Sequence, residues 1–182
     1  MKLKTVIRIF ILSALLIGFS APSAQASRKG EKVFGVRTGY VSRNNSMDVG
    51  LYFQYTFSDY FRLQPSADIV FRHNDRNAFF ADLNAQVPIA ISEDTFTLYP
   101  LAGLNFSSWN HHFSSDTATA EEELLDEMVP EWSARTNRFG ANVGAGFDLK
   151  LSSTLKLSIS ATYTFVKSNS GVRVMAGIGY VF

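Results

Sequence analysis

Residues 155–165 read LKLSISATYTF, and this stretch decides the fold because apolar and polar side chains alternate along it without a break. One face holds Leu155, Leu157, Ile159, Ala161, Tyr163 and Phe165, and the other holds Lys156, Ser158, Ser160, Thr162 and Thr164. Successive side chains of a β-strand point to opposite faces, so a period of two predicts a strand with one apolar face.

The same alternation occurs seven more times along the chain. Its apolar faces begin at Phe34, Met47, Phe61, Phe79, Phe96, Phe139 and Val172, and the last one ends at Phe182. The opposite faces carry polar residues and glycines. The sequence therefore predicts eight antiparallel strands, an even number, in an all-β fold.

A soluble β-sandwich also alternates, but three features favour a transmembrane barrel. Most runs have about 10 to 13 residues, the length that a tilted strand needs to cross a bilayer. Aromatic residues lie at both ends of the apolar faces, as in interfacial girdles. The opposite faces are too polar to form half of a sandwich core. We therefore expect an eight-stranded up-and-down barrel with lipid outside and polar side chains inside.

The predicted connections alternate in length. Three are short, at 58–60, 92–95 and 152–154, and the others lie at 43–46, 73–78, 109–137 and 167–171. Outer-membrane barrels have short periplasmic turns and longer extracellular loops, so both termini are expected on the periplasmic side.

The first 26 residues have the pattern of a secretory signal peptide. Its features are the basic residues Lys2, Lys4 and Arg8, the apolar run 9–19, and the small residues Ala24 and Ala26. The apolar run is too short for a membrane anchor, which needs about 20 residues as a helix. We expect cleavage after Ala26, export, and one barrel domain over residues 27–182.

Composition excludes several function classes. Without the predicted signal peptide, 14 Lys and Arg face 16 Asp and Glu, so the basic balance belongs to the signal and nothing indicates nucleic-acid binding. The chain has no cysteine, which excludes a disulfide scaffold, a thiolate metal site and a lipid-modified N-terminal cysteine. We find no zinc motif, phosphate-binding loop or nucleophile elbow, and we predict no cofactor and no metal.

Two internal stretches, YPLAGL at 99–104 and GANVGAGF at 140–147, resemble the outer-membrane β-barrel domain of porin-family and opacity-type proteins. The last strand resembles the β-signal of such proteins, with Ile178, Tyr180 and a terminal Phe182 on one face. The resemblance covers the whole predicted mature chain. It implies the outer membrane of a Gram-negative bacterium, with lipid and lipopolysaccharide around the barrel and the barrel assembly machinery as a partner during biogenesis. It does not imply a particular activity, because the family includes adhesins and resistance factors.

The interior of an eight-stranded barrel is just wide enough for side chains to fill it. The alternation places eleven charged residues there, and we interpret them as an ion-paired, hydrogen-bonded filling. They are Arg37, Arg62, Arg72, Arg138, Lys150, Lys156, Arg173, Asp48, Asp68, Asp82 and Asp148. A narrow, gated conduit for protons or ions is the alternative, whereas a nutrient pore is disfavoured by size.

Residues 109–137 form the longest predicted loop, and loops of this length are often functional or disordered. Thr119 to Met128 reads as a short helix, with Thr119 and Glu122 as a capping box and Pro130 after its end. Its many carboxylates favour a solvated acidic face; divalent-cation bridging to lipopolysaccharide, or contact with a host or envelope partner, are the alternatives.

All three histidines lie in predicted loops, at 73, 111 and 112. His112 and Ser114 faintly resemble the His-x-Ser pair of outer-membrane lipid A deacylases, with Glu121 as the orienting acid. In that family the pair lies on a lipid-facing strand, whereas here it follows a predicted strand end. The leading prediction is therefore a non-enzymatic barrel with a structural or surface-interaction role; lipid A modification and a narrow ion channel remain as alternatives.

Overall fold

The computed structural model describes residues 29–73, 76–92, 95–112, 133–167 and 170–182. All regular structure in these ranges is β-strand, in nine segments. These are β1 (Lys32–Val41), β2 (Ser46–Ser58), β3 (Phe61–His73), β4 (Arg76–Gln86), β5 (Ile89–Ser92), β6 (Phe96–His112), β7 (Ser133–Lys150), β8 (Leu155–Val166) and β9 (Gly171–Val181). Within the described ranges, no helix has the length and apolarity needed to cross a membrane.

The strands form a closed antiparallel ring of eight barrel strands, as the sequence predicts. Each strand pairs with its neighbours along the chain, and β1 pairs with β9 from Val33↔Val181 to Val41↔Arg173, which closes the ring. We call the end that carries Lys32 and Phe182 the terminal end, and the opposite end, with the connections after β1, β3, β6 and β8, the loop end.

The fourth barrel strand is interrupted, whereas the sequence predicts one strand over 79–91. Its two parts, β4 and β5, both pair with β6, through Gln86↔Leu101 and Ile89↔Leu98. Pro88 lies between the two parts, and a proline has no N–H to donate to a sheet ladder. The Val87 N–H still donates to the carbonyl of Pro100, at 3.2 Å, so the barrel wall remains continuous across the break.

Alternation sorts side chains between lipid and interior as predicted. On β2, Asp48 is 0% exposed, whereas its neighbour Val49 is 42% exposed. Outward aromatic rings pair near both ends, for example Phe106 with Phe139 near the loop end, at 5.1 Å between ring centroids, and Phe57 with Phe61 near the terminal end, at 5.8 Å. An apolar belt between two aromatic girdles is the surface that a bilayer requires.

β6 and β7 extend beyond their predicted ends, and their pairing continues to His112↔Ser133. The predicted bounds of the loop 109–137 are therefore wrong at both ends, because residues 109–112 and 133–137 belong to strands. Residues 113–132, between these strands, lie outside the described chain. The outward side chains of the extension, such as Ser108 and Asn110, are polar, so the sequence shows no apolar alternation there. The predicted helix 119–128 lies outside the described residues.

Candidate functional site

Four charged side chains from four strands meet inside the barrel, and we call them the central ion-pair cluster. They are Arg37 on β1, Asp68 on β3, Asp82 on β4 and Arg173 on β9, each at most 7% exposed. Arg37 donates through Nε to Asp68 Oδ1 at 2.7 Å and through Nη2 to Asp68 Oδ2 at 2.5 Å. Arg173 reaches Asp68 Oδ2 at 3.1 Å and Asp82 Oδ2 at 2.9 Å. Each arginine thus contacts both carboxylates, since Arg37 Nη2 also lies 3.5 Å from Asp82 Oδ2.

Amide side chains extend this cluster towards β6, β7 and β8. Asn105 and Asn142 both donate from Nδ2 to Asp82 Oδ1, at 2.6 and 2.9 Å. The Thr164 hydroxyl in turn donates to Asn142 Oδ1, at 2.8 Å. Buried carboxylates are stabilised only where their lone pairs are used, and these amides serve that purpose for Asp82.

A second set of charges fills the terminal half of the interior, and we call it the terminal cluster. Arg62 donates to Asp148 Oδ2 at 2.6 Å and to Gln86 Oε1 at 2.6 Å. Lys156 Nζ lies 3.7 Å from Asp148 Oδ2 and donates to Glu31 Oε1 at 3.2 Å. Glu31 precedes β1, so the terminal cluster ties the start of the described chain to β8.

Tyr52 and Tyr99 occupy the interior beside these clusters, and glycines on the facing strands leave room for them. The Arg62 guanidinium stacks on the Tyr99 ring at 4.8 Å. A Cβ placed on Gly146 would lie 2.5 Å from Tyr99 Oη, and one on Gly179 would lie 2.6 Å from Tyr52 Oη. Inward glycines therefore permit large polar side chains in a narrow barrel.

Asp48 differs from the other carboxylates of this filling, since Asp68, Asp82 and Asp148 all accept hydrogen bonds. Neither of its carboxylate oxygens has a hydrogen-bond partner, although the residue is fully buried. Its Oδ2 lies 3.8 Å from Arg173 Nε, within ion-pair distance. Asp48 thus adds a third carboxylate beside the two arginines and two aspartates of the central ion-pair cluster.

An apolar layer covers the central ion-pair cluster on its loop side, and we call it the apolar cap. Its buried members are Val41, Val70, Ala78, Phe80 and Trp109. The Phe80 and Trp109 rings meet edge to face at 5.5 Å, and the Arg173 guanidinium lies 4.8 Å from the Phe80 centroid. This layer is not among the features predicted from the sequence, although the inward position of Val70 in the alternation is a signal for it.

The structure places most, but not all, of the predicted interior charges in the filling. The buried ones are Arg37, Asp48, Arg62, Asp68, Asp82, Asp148, Lys156 and Arg173. Arg72 is exposed, because it lies one residue from the end of β3 and above the apolar cap. Arg138 is half-buried and donates to the carbonyl of Lys167, and Lys150 lies 3.6 Å from Glu31 at the terminal end. The prediction for Arg72 is therefore wrong, and sequence reasoning also missed Glu31.

The loop end carries exposed cations, which we call the basic rim. They are Arg43, Arg72, Arg76, Arg135 and Lys167. Acidic side chains in the described part of the chain lie either inside the barrel or, for Asp59, in a turn at the terminal end. The described loop end is therefore positive.

The predicted catalytic candidates are only partly described. His112 is the last residue of β6 and pairs with Ser133, whereas the sequence placed it past the strand end. Ser114 and Glu121 lie outside the described residues. Among the residues that are described, no group of three or more His, Asp or Glu side chains is arranged to hold a metal ion.

The predicted β-signal lies on the outer face of the barrel. Ile178, Tyr180 and Phe182 are all exposed, and the last two rings stack at 6.3 Å. Phe182 also exchanges backbone hydrogen bonds with Lys32, at 2.9 and 3.2 Å, so the last residue joins the seam between the first and last strands.

A closed barrel with an apolar outer belt and an ion-paired interior is a transmembrane β-barrel of the outer-membrane class. The sequence matches no protein-family profile and no curated protein. Similar solved structures include small outer-membrane barrels. The N-terminal barrel domain of Pseudomonas aeruginosa OprF is 16% identical over 85% of this chain and 98% of its own, with a TM-score of 0.64.

Two further structures show the same fold. Neisserial surface protein A (NspA) is 12% identical over 85% of this chain and 98% of its own, with a TM-score of 0.62. The attachment invasion locus protein Ail of Yersinia pestis is 17% identical over 85% of this chain and 100% of its own, with a TM-score of 0.57. The sequence-based resemblance to small outer-membrane barrels is thereby confirmed for the fold.

Proposed function

We propose that this protein is a non-enzymatic outer-membrane barrel with a sealed interior, which acts at the cell surface through its loop end. The single observation that carries the proposal is the filled interior. The terminal cluster, the central ion-pair cluster and the apolar cap succeed one another along the barrel axis, from the terminal end to the loop end. A solute would have to break buried ion pairs to pass, and each such break costs roughly 3–5 kcal/mol.

The basic rim supports a surface role and suggests a class of partner. Arginine pairs with phosphate and sulfate groups in a planar, two-point geometry, and several such residues surround the loop end. One structure of Ail with this fold contains the heparin analogue sucrose octasulfate. We infer that the rim binds anionic groups on saccharides, either phosphates of surrounding lipopolysaccharide or sulfates of an external polysaccharide.

Binding is best tested with the full chain in lipid nanodiscs, against heparin and, separately, against lipopolysaccharide vesicles. The R76Q/R135Q variant removes two rim charges, and K29Q/K32Q removes two exposed charges at the terminal end as a matched control. We expect the rim variant alone to lose affinity, by roughly tenfold for two charge-assisted contacts. If the rim variant loses affinity for heparin alone, the ligand is an external polysaccharide. If it loses affinity for lipopolysaccharide alone, the ligand is the lipopolysaccharide of the surrounding membrane. Equal effects of both variants would refute a rim site.

The sealed interior predicts no conductance. Purified protein in planar bilayers should show no stepwise current, because the buried ion pairs and the apolar cap fill the described interior. Regular single-channel openings would contradict the sealed interior and favour the ion-channel alternative.

The enzymatic alternative has its own readout. We expect lipid A from cells lacking the protein to have the same mass as lipid A from cells that overproduce it. An acyl-chain change that disappears in the H112A and S114A variants would make the protein a lipid A-modifying enzyme.

A further inference from the structure

A small pocket lies between the central ion-pair cluster and the loop end. Its walls include Phe80 and Val166, its floor includes Arg173, and Arg43 lines it near the rim. The free volume is about 20 Å³, and a single water molecule needs roughly 10–15 Å³ on this measure.

Two polar groups in this pocket lack partners. Trp109 Nε1–H and Asn105 Oδ1 are both buried without a hydrogen bond, and both residues line the pocket. Asn105 donates from Nδ2 to Asp82 Oδ1 at 2.6 Å, which fixes its amide orientation and leaves Oδ1 as a free acceptor. The residues that carry one unpaired donor and one unpaired acceptor therefore line the same pocket, which is large enough for one water molecule. An unpaired buried polar group has lost its hydrogen bonds to water without gaining a protein partner, so both groups favour a ligand that accepts and donates.

We propose that this pocket is a water-binding site, in which bound water accepts a hydrogen bond from Trp109 Nε1–H and donates one to Asn105 Oδ1. This inference concerns the interior of the barrel and does not depend on what the basic rim binds. It makes the apolar cap incomplete on one side, so that water from the loop end reaches the edge of the central ion-pair cluster and stops there.

A small anion such as a halide and a small cation could also fit the volume, but the groups around the pocket oppose both. A halide would have to sit beside Arg173, but three carboxylates already surround that guanidinium, at 2.9, 3.1 and 3.8 Å. The buried charges around the floor are two arginines and three aspartates, a negative balance that repels an anion. A cation is opposed by the Trp109 N–H and the Arg173 guanidinium, which are donors only. Water satisfies both kinds of partner.

The test uses the indole resonance of Trp109. The chain has two tryptophans, so the W132F variant leaves one indole N–H signal. With this protein in nanodiscs, we expect a cross-peak between Trp109 Nε1–H and the water frequency, with the same sign as the diagonal in NOESY and the opposite sign in ROESY. That pattern identifies a water molecule that stays bound for longer than about a nanosecond, the timescale that separates bound from surface motion.

Three variants in the same background locate the water. N105L removes the acceptor while Asn142 still donates to Asp82 at 2.9 Å, and it should reduce the cross-peak severalfold. S107A should retain it, which excludes relayed exchange through the neighbouring hydroxyl. T162V, on the same inner surface but outside the pocket, should also retain it. Native-like amide spectra show that each variant folds.

Three results would overturn the proposal. Absence of the cross-peak from the W132F protein would mean a dry pocket. A cross-peak of full strength in N105L would mean that Asn105 does not hold the water. An indole shift that follows chloride concentration would mean that a small anion occupies the site.

Discussion

Arg37 and Asp68 form a two-point ion pair across a strand that lies between them. Both residues are level with Gly50 on β2, since Gly50 is the register partner of Arg37 on one side and of Asp68 on the other. The ion pair therefore passes directly over Gly50. Arg37 Nε lies 2.7 Å from Asp68 Oδ1, and Arg37 Nη2 lies 2.5 Å from Asp68 Oδ2. A side chain on Gly50 would occupy the same space, because its Cβ would contact Asp68 Oδ1 and the Ala67 carbonyl.

The G50A variant should therefore destabilise the barrel by displacing Asp68 from Arg37. Overpacking of a close-packed interior typically costs about 1–3 kcal/mol, and loss of ion-pair geometry adds to it. Urea unfolding of refolded protein in detergent micelles measures the effect. G171A is the control, because the nearest atoms to its added methyl are Arg43 Cβ at 3.1 Å, Ser42 Oγ at 3.4 Å and Arg43 N at 3.6 Å, so none lies under 3.0 Å. Equal unfolding free energies for G50A and G171A would contradict the crowding argument.

Asp48 and Asp68 should respond in opposite ways to neutralisation. D68N removes the carboxylate that holds two arginines, and breaking a buried pair costs roughly 3–5 kcal/mol. D48N removes a carboxylate that accepts no hydrogen bond and contributes to an excess of negative charge, so its unfolding free energy should match or exceed that of the parent. The same urea titration compares them. If D48N lowers the unfolding free energy as much as D68N does, the negative charge of Asp48 stabilises the barrel and the prediction is wrong.

The sequence predicts the barrel and most of its buried charges because one physical rule governs both. Lipid outside and a narrow interior force a period of two, so Asp82 and Arg173 can be assigned to the interior without knowledge of their partners. The ion-pair partners cannot be assigned from the sequence. Arg37 on β1 pairs with Asp68 on β3, two strands away, and Arg62 on β3 pairs with Asp148 on β7, 86 residues away in the sequence. Those meetings depend on the stagger of the closed ring, which alternation alone does not specify.

The errors also have physical causes. Where β6 and β7 leave the lipid, their outward side chains become polar, so the strand continues to His112 without an apolar pattern to mark it. The sequence therefore predicts a loop at Trp109, although this residue points inward and is 5% exposed. Arg72 has the inward phase in the sequence, but the pairing of β3 with β4 shifts by one residue between Val70 and His73, and Arg72 is exposed there. Glu31 precedes the first alternating run and left no periodic signal.

Glu31 should stabilise the barrel by linking β7 and β8 to the start of β1. Its carboxylate lies 3.2 Å from Lys156 Nζ and 3.6 Å from Lys150 Nζ, and its side chain is 7% exposed. E31Q keeps the shape of the side chain but removes the negative charge between the buried Lys156 and the half-buried Lys150. We expect the unfolding free energy to fall by about 2 kcal/mol, which is less than the cost of breaking a fully buried ion pair. K29Q, at an exposed position two residues earlier, is the matched control and should cost less than about 0.5 kcal/mol. An E31Q variant as stable as K29Q would mean that the lysines do not need Glu31.

Phe182 contributes to the barrel in two separable ways, through its ring on the lipid face and through its backbone at the seam with Lys32. Deleting Phe182 removes both and should reduce assembly into the outer membrane while export continues. F182A retains the backbone hydrogen bonds at 2.9 and 3.2 Å but removes the ring that stacks on Tyr180. If the ring is the recognised part of a β-signal, F182A should be as defective as the deletion. Membrane fractionation with heat-modifiable gel mobility measures assembled barrel, and the size of the exported chain reports signal cleavage. Normal assembly of F182A with failure of the deletion would assign the role of Phe182 to the seam, and normal assembly of both would refute the β-signal.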